Sequence, residues 1–139
     1  MKLSITLFSI ISSLYILNPN NVEPLVQQTP LEASIARGSD IYTDFCITCH
    51  MPNGQGVEAV YPPLAKSDFL MKNRNESIKG IKYGQQGEIT VNGKTYNNIM
   101  APLGLSNDEV ADVMNYITNS WGNTNDDMVT EEEVSKIKK

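Results

Sequence analysis

Apolar residues are distributed along this chain in two different ways. From Leu3 to Leu17 they are nearly continuous, interrupted only by Ser and Thr. Further on they recur at three- and four-residue steps: Leu31, Ile35, Gly38, Tyr42 and Phe45 share one face, and Val110, Val113, Met114, Ile117 and Trp121 share another. That period predicts two amphipathic helices. Each opens on a capping-box pattern, Thr29-Pro30-Leu31-Glu32 with proline at the first helical position, and Ser106-Asn107-Asp108-Glu109. Gly122 is placed to end the second helix. Gly38 costs its helix stability relative to alanine, so its expected use is close approach by another helix.

Shorter elements fill the space between. Ser67 can cap a turn over Asp68-Phe69-Leu70-Met71, and Asn75 a helix from Glu76 to Tyr83 with Gly84 just past its end. Alternation over Ile89–Tyr96 around Asn92-Gly93 predicts a hairpin with a type I′ turn. Thr130-Glu131-Glu132-Glu133 predicts a short exposed helix, with Glu132 four residues before Lys136. The pattern gives an all-α fold of three to five helices with a small hairpin. Its expected organisation is a leader over 1–17, a polar, proline-broken linker over 18–30, a folded domain over 31–122 and a charged tail over 123–139.

Composition narrows the function. With 139 residues and 40% apolar content, the chain can build one core without disulfides. The formal charge is −5, and Lys2 is the only charge in residues 1–17, so nucleic acid is excluded as a partner. Lys2 followed by an apolar run reads as a secretory signal. No small-x-small cleavage site follows, and the run is at the short edge for a spanning helix. A cleaved signal and an uncleaved membrane anchor therefore both fit, and both place the domain outside the cytoplasm, in a periplasm-like compartment. The stretch 66–82 is locally basic, through Lys66, Lys72, Arg74, Lys79 and Lys82, and reads as a solvated face or a docking patch.

The chain holds two cysteines and one histidine, all within Cys46-Ile47-Thr48-Cys49-His50. C-x-x-C-H is the attachment pattern of a c-type heme: each thiol adds to a vinyl group, and the following imidazole meets one face of the iron. A structural zinc site needs four ligands, which this chain lacks among Cys and His. A thioredoxin-like pair needs a βαβ context, absent here. The expected cofactor is one heme c, attached through Cys46 and Cys49. Downstream, Tyr61-Pro62-Pro63-Leu64 offers a proline carbonyl free to accept Nδ1–H from His50, with Leu64 against the ring; the same residues also fit a rigid turn with no such contact.

A sixth iron ligand must be sought among the methionines. Met51 adjoins His50 and cannot reach the opposite face. Met114 lies on an apolar helix face and suits packing. Met71 sits in an amphipathic segment and Met128 in the charged tail. Met100 lies on a loop before the second long helix, where a thioether can point at iron, and His/Met ligation raises heme potential. His50 and Met100 are thus the candidate metal ligands.

Residues 31–122 resemble the small monoheme class I cytochromes c. The resemblance rests on Gly38-x-x-x-Tyr42-x-x-x-Cys46, on Cys46-x-x-Cys49-His50, on Pro62-Pro63-Leu64, and on Met100 before Leu105-Ser106 and Val113-x-x-Tyr116-Ile117. It implies the cytochrome c fold, with first and last helices crossing so that Gly38 and Tyr42 meet Val113 and Tyr116. It also implies that the Pro62 carbonyl bonds the ligand histidine and that Leu64 packs on heme. The hairpin and Trp121-Gly122-Asn123 are similar to a bacterial subgroup found alone or joined to redox enzymes. The implied function is one-electron transfer without catalysis, between a donor dehydrogenase or bc-type complex and an acceptor oxidase or reductase. A heme-based sensor or enzyme subunit with a labile sixth ligand is the alternative. Two residues depart from the pattern: Ala101 stands where proline is common, and Lys66 where glycine is common.

Overall fold

Thr29 starts the first helix as its sequence predicts. Its hydroxyl accepts the Glu32 N–H at 3.2 Å, and the Glu32 carboxylate accepts the Thr29 N–H at 2.7 Å. The computed structural model describes residues 27–139; the expected leader over 1–17 and most of the expected linker lie outside the described residues. The order is α1 (Pro30–Phe45), α2 (Ile47–His50), α3 (Asp68–Lys72), α4 (Arg74–Tyr83), β1 (Ile89–Val91), β2 (Lys94–Tyr96), α5 (Asn107–Ile117) and α6 (Glu131–Lys136). The described residues form six helices where three to five are expected, the additional ones being a one-turn α2 and an α6 in the segment expected to be tail. None of the described helices is long and apolar enough to cross a membrane.

The frame is the crossing of α1 over α5. A Cβ at Gly38 would lie 2.0 Å from the Asp112 carbonyl oxygen and 2.8 Å from Tyr116 Cβ, so only glycine allows this approach. Tyr42, Tyr116 and Trp121 then stack in a tilted cluster, with centroids 4.9 to 5.4 Å apart. The buried stripe of α1 is Ser34, Gly38 and Tyr42: Gly38 and Tyr42 keep the expected face, Ser34 turns inward in place of the half-buried Ile35, and Phe45 is exposed. A polar network explains the turn. The Ser34 hydroxyl donates to Asp112 at 2.6 Å, Arg37 donates to the same carboxylate at 2.6 and 2.7 Å, and Asn115 donates to Ser34 at 2.8 Å.

Two boundaries differ from expectation, and the hairpin does not. The α4 helix starts at Arg74 with Asn73 as its cap, not Asn75. The α5 helix ends at Ile117, because the hydroxyls of Thr118 and Ser120 bond back to the carbonyls of Met114 and Tyr116. The hairpin pairs Ile89 with Tyr96 around Asn92 and Gly93, whose φ values of 51° and 75° suit a type I′ turn. Asn92 and Asp68 exchange bonds of 3.0 and 2.6 Å, tying that turn to α3.

The largest correction concerns residues 123–139. The short helix forms, capped by Thr130, but it is not an exposed appendage: Val129 and Val134 are fully buried. Asn115 holds Val129 at both backbone groups, accepting its N–H at 2.7 Å and donating to its carbonyl at 2.9 Å. The helix crossing α1 is therefore not the last one, and the core extends past Gly122. Arg74 and Lys82, expected on a basic face, are turned to this segment instead. Arg74 grips Glu133 at 2.6 and 2.7 Å, and Lys82 donates to the Val134 carbonyl at 2.8 Å.

Gly38→Ala should lower the unfolding free energy by about 3 kcal/mol or more, because the intruding atom is backbone and cannot rotate away. Val134→Ala should cost about 2 kcal/mol, whereas a solvated tail residue would cost nothing measurable. Denaturant titration reads both.

The Arg74 hydrogen bond holds the Glu133 carboxyl below its ordinary 4.5, against an opposing push from burial. A depressed folded value means this stability is present above pH 4.5 and is lost as pH falls through the folded value. Glu133→Gln should accordingly flatten the acid limb of a stability–pH profile below that point.

Candidate functional site

The end of α1 and the turn of α2 carry the cysteines and the histidine. Cys46 closes one helix and opens the next. Its carbonyl accepts the N–H of Cys49 at 3.2 Å and of His50 at 3.0 Å. The three side chains thus stand at i, i+3 and i+4 on one side of a single turn. Met51, next in line, has φ 66° and ψ 160°, a region that residues other than glycine avoid. The buried Tyr42 hydroxyl donates to the Met51 carbonyl at 2.7 Å and helps hold that conformation. Burial raises the Tyr42 pKa, so the phenol stays a donor.

His50 Nδ1 lies 3.0 Å from the Pro62 carbonyl. A carbonyl only accepts, so Nδ1 carries the hydrogen and Nε2 keeps a free lone pair. Burial lowers the His50 pKa and so favours the neutral imidazole; the Pro62 bond partly offsets that shift but defines the tautomer. Gly56 makes the Pro62 approach possible. With φ +65°, it would place a Cβ 2.3 Å from the Tyr61 oxygen and 2.7 Å from the Pro62 oxygen. The Leu64 backbone is held at both groups, its N–H by Gly54 at 2.7 Å and its carbonyl by Asn123 at 2.8 Å.

Cys46, Cys49, His50, Pro62, Leu64 and Met100 all line one cavity of about 390 Å³, within the size range of small-molecule and cofactor sites. Leu70, Ile81, Val113 and Ile117 give it apolar walls. No other methionine of the described residues lines it: Met114 is buried in the core, and Met71 is partly exposed on α3. The donor set is an imidazole, a thioether and two thiols around an apolar space, which fits a covalently held heme and its iron. One buried hydroxyl lining the cavity, Ser77 Oγ, has no hydrogen-bond partner among the described residues. A bound group with polar edges can supply one.

The rival chemistries fit less well. Burial, reinforced by Cys49, pushes the Cys46 thiol up to about 11, opposite to what a redox-active thiolate requires. Among the described residues no three His, Cys, Asp or Glu side chains gather as a metal cluster.

Both departures from the family pattern have a structural answer. Lys66 has φ 49°, the left-handed region that glycine enters freely. Ala101 is followed by Pro102, and Met100 is fixed by a two-way backbone pair with Gln85, at 2.9 and 2.8 Å. Sequence reasoning missed Gly56, Tyr42 as the anchor of Met51, and the Ser34–Asp112–Asn115 network. The signal for the last was a pair of polar residues inside the apolar run of α5.

The family model described as cytochrome c matches residues 35–121. Cytochrome c-552 of Thermus thermophilus is 38% identical over 112 residues, covering 74% of this chain and 85% of that protein. The cytochrome c subunit of the quinone alcohol dehydrogenase of Gluconacetobacter polyoxogenes is 31% identical over 105 residues, covering 73% of this chain and 22% of that protein. The gluconate 2-dehydrogenase cytochrome c subunit of Pantoea cypripedii is 30% identical over 111 residues, covering 73% and 24%.

Gly56→Ala should push the Pro62 carbonyl off His50. Proton NMR should then find exchange of the His50 Nδ1–H about tenfold faster, as expected for a weakened hydrogen bond. A less basic ligand should also shift the potential upward.

Proposed function

The chain belongs to the cytochrome c family, and from that membership we propose a His50/Met100-ligated electron carrier that works outside the cytoplasm. Covalent heme c and electron transfer come with the family, and the chain is a carrier, not a catalyst. When bound, the heme supplies a reversible one-electron ferric–ferrous couple. The observation that carries the ligand reading is the joint position of His50 and Met100 on one apolar cavity, with His50 Nδ1 already engaged by Pro62.

In this reading each residue has a distinct task. Cys46 and Cys49 form the thioether links. His50 offers Nε2 to one face of the iron, and the Pro62 carbonyl fixes its tautomer. Met100 would hold the iron through its thioether, and Leu64 would shield the ring from water. With His50 and Met100 as its ligands, a bound heme iron would need no other, so the side chains would set the potential through ligand type, hydrogen bonding and low polarity.

Partner proteins are proposed to be a dehydrogenase or bc-type donor and an oxidase or reductase acceptor. Dehydrogenase cytochrome subunits among the relatives support redox partners of this kind. Phe45, Val60 and Ile99 are exposed at the cavity, Ile99 by 73%, which supports a small apolar contact rather than one through the basic stretch. Export through residues 1–17 remains part of the proposal, as a cleaved signal or an anchor.

Production in an exporting host with heme-attachment machinery tests the reading. The intact mass should exceed the polypeptide by one heme that acid-organic extraction does not remove, and Cys46→Ala with Cys49→Ala should abolish the link. A freely extractable porphyrin would overturn it.

Met100→Ala should erase the weak thioether-to-iron band at the red end of the spectrum. It should also lower the potential by on the order of 0.1 V and open the site to carbon monoxide. Met71→Leu and Met114→Leu should leave the band in place. A wild type that lacks the band and binds carbon monoxide at once would instead favour a ligand sensor.

A further inference from the structure

We propose that the C-terminal segment, residues 127–137, is a clamp that holds the Met100 thioether in place through the last turn of α4. The proposal rests on the reading of Met100 as the iron ligand and adds a positioning role for residues outside the cavity. The α4 helix has two working sides. Ser77, Gly80 and Ile81 line the cavity, while Arg74, Lys82 and Tyr83 reach the C-terminal segment.

Both ends of α4 are fastened. At its start Arg74 takes both Glu133 carboxylate oxygens and also donates to the carbonyls of Asp127 at 2.8 Å and Met128 at 3.1 Å. At its end Lys82 donates to the Val134 carbonyl at 2.8 Å and the Tyr83 hydroxyl to the Ile137 carbonyl at 2.9 Å. Those carbonyls lie at the C-terminal end of α6: that of Val134 also accepts the Ile137 N–H at 3.2 Å, and that of Ile137 lies just past the last helical residue. The segment is itself anchored by the buried Val129 and Val134 and by Asn115.

The next residues in the chain reach the ligand loop. Gly84 follows Tyr83 with φ +84°, and a Cβ there would lie 2.7 Å from the Met100 carbonyl oxygen. Gln85 then exchanges both backbone hydrogen bonds with Met100. Little else fastens that loop: Ile99 is 73% exposed, Ala101 is exposed, and the Asn98 side chain reaches the Val60 carbonyl only at 3.5 Å. The place of the Met100 backbone is thus set by the end of α4, and the end of α4 by the C-terminal segment. Loosening the segment should release the thioether before the core unfolds, as a local opening.

The test uses the full-length holoprotein with Tyr83→Phe and Glu133→Gln, singly and together. Binding of imidazole to the ferric form and of carbon monoxide to the ferrous form is measured beside the thioether band and the unfolding midpoint. Each substitution should raise the apparent affinity for these ligands about fivefold, the effect of one lost hydrogen bond, and the pair more. Thr29→Ala is the control, because Thr29 caps α1 and its recorded hydrogen bonds reach neither α4 nor the C-terminal segment. It should lower the unfolding midpoint and leave ligand binding unmoved. A wild-type band with unchanged ligand binding in the double variant would overturn the clamp alone. Thr29→Ala raising ligand binding as much as Tyr83→Phe would also overturn it, by reducing the effect to general stability. A wild type without the band would overturn the Met100 reading, and the clamp with it.

Discussion

The backbone contact between Gly38 and Asp112 is the constraint on which the rest depends. Two helices can approach this closely only where one side has no side chain, and the approach fixes both their angle and their register. From it follow the stacking of Tyr42 on Tyr116 and Trp121 and the burial of Ser34 against Asp112. The cavity follows as well: α1 leads straight into the cysteine turn, while Val113 and Ile117 of α5 form part of the wall. A shift at the crossing would move the donors and the wall together.

The site itself stores a small amount of strain. Met51 is held in a conformation that glycine prefers, directly after the histidine, and the Tyr42 hydroxyl and the Gly54 N–H hold it there by donating to its carbonyl. Such a conformation persists where surrounding bonds over-determine it. Here the bonding comes from both sides, since Gly56 N–H donates to the His50 carbonyl at 3.0 Å while Pro62 takes the ring nitrogen. The imidazole is therefore oriented by the fold before any metal is considered, which lowers the reorganisation that electron transfer requires.

The Met100 side of the cavity is organised differently. Met100 lies in a loop with exposed neighbours, so its order must be borrowed. A proline directly after the methionine would have supplied some of it; in this chain Ala101 occupies that place, and the bridge to Gln85 carries more of the load. That makes the packing of α4, and hence of the C-terminal segment, part of the site's architecture although no residue beyond Ile117 lines the cavity.

Much of this was determined by the sequence alone. Caps, helical periods, the Asn92-Gly93 turn and the Cys46–His50 spacing are local, and local sterics and hydrogen bonding decide them without reference to distant residues. The cysteine and histidine count by itself selected the cofactor. Tertiary structure decided the rest, because it concerns partners far apart in the chain. Only packing reveals that Ser34, not Ile35, begins the buried stripe, since its partners Asp112 and Asn115 lie on another helix. Only packing shows that Arg74 and Lys82 belong to the C-terminal segment, a segment whose charged surface hides two buried valines five residues apart. A sequence records which residues can be buried or paired. Which of them are is settled by the free energy of bringing remote segments together, and that is a property of the folded chain.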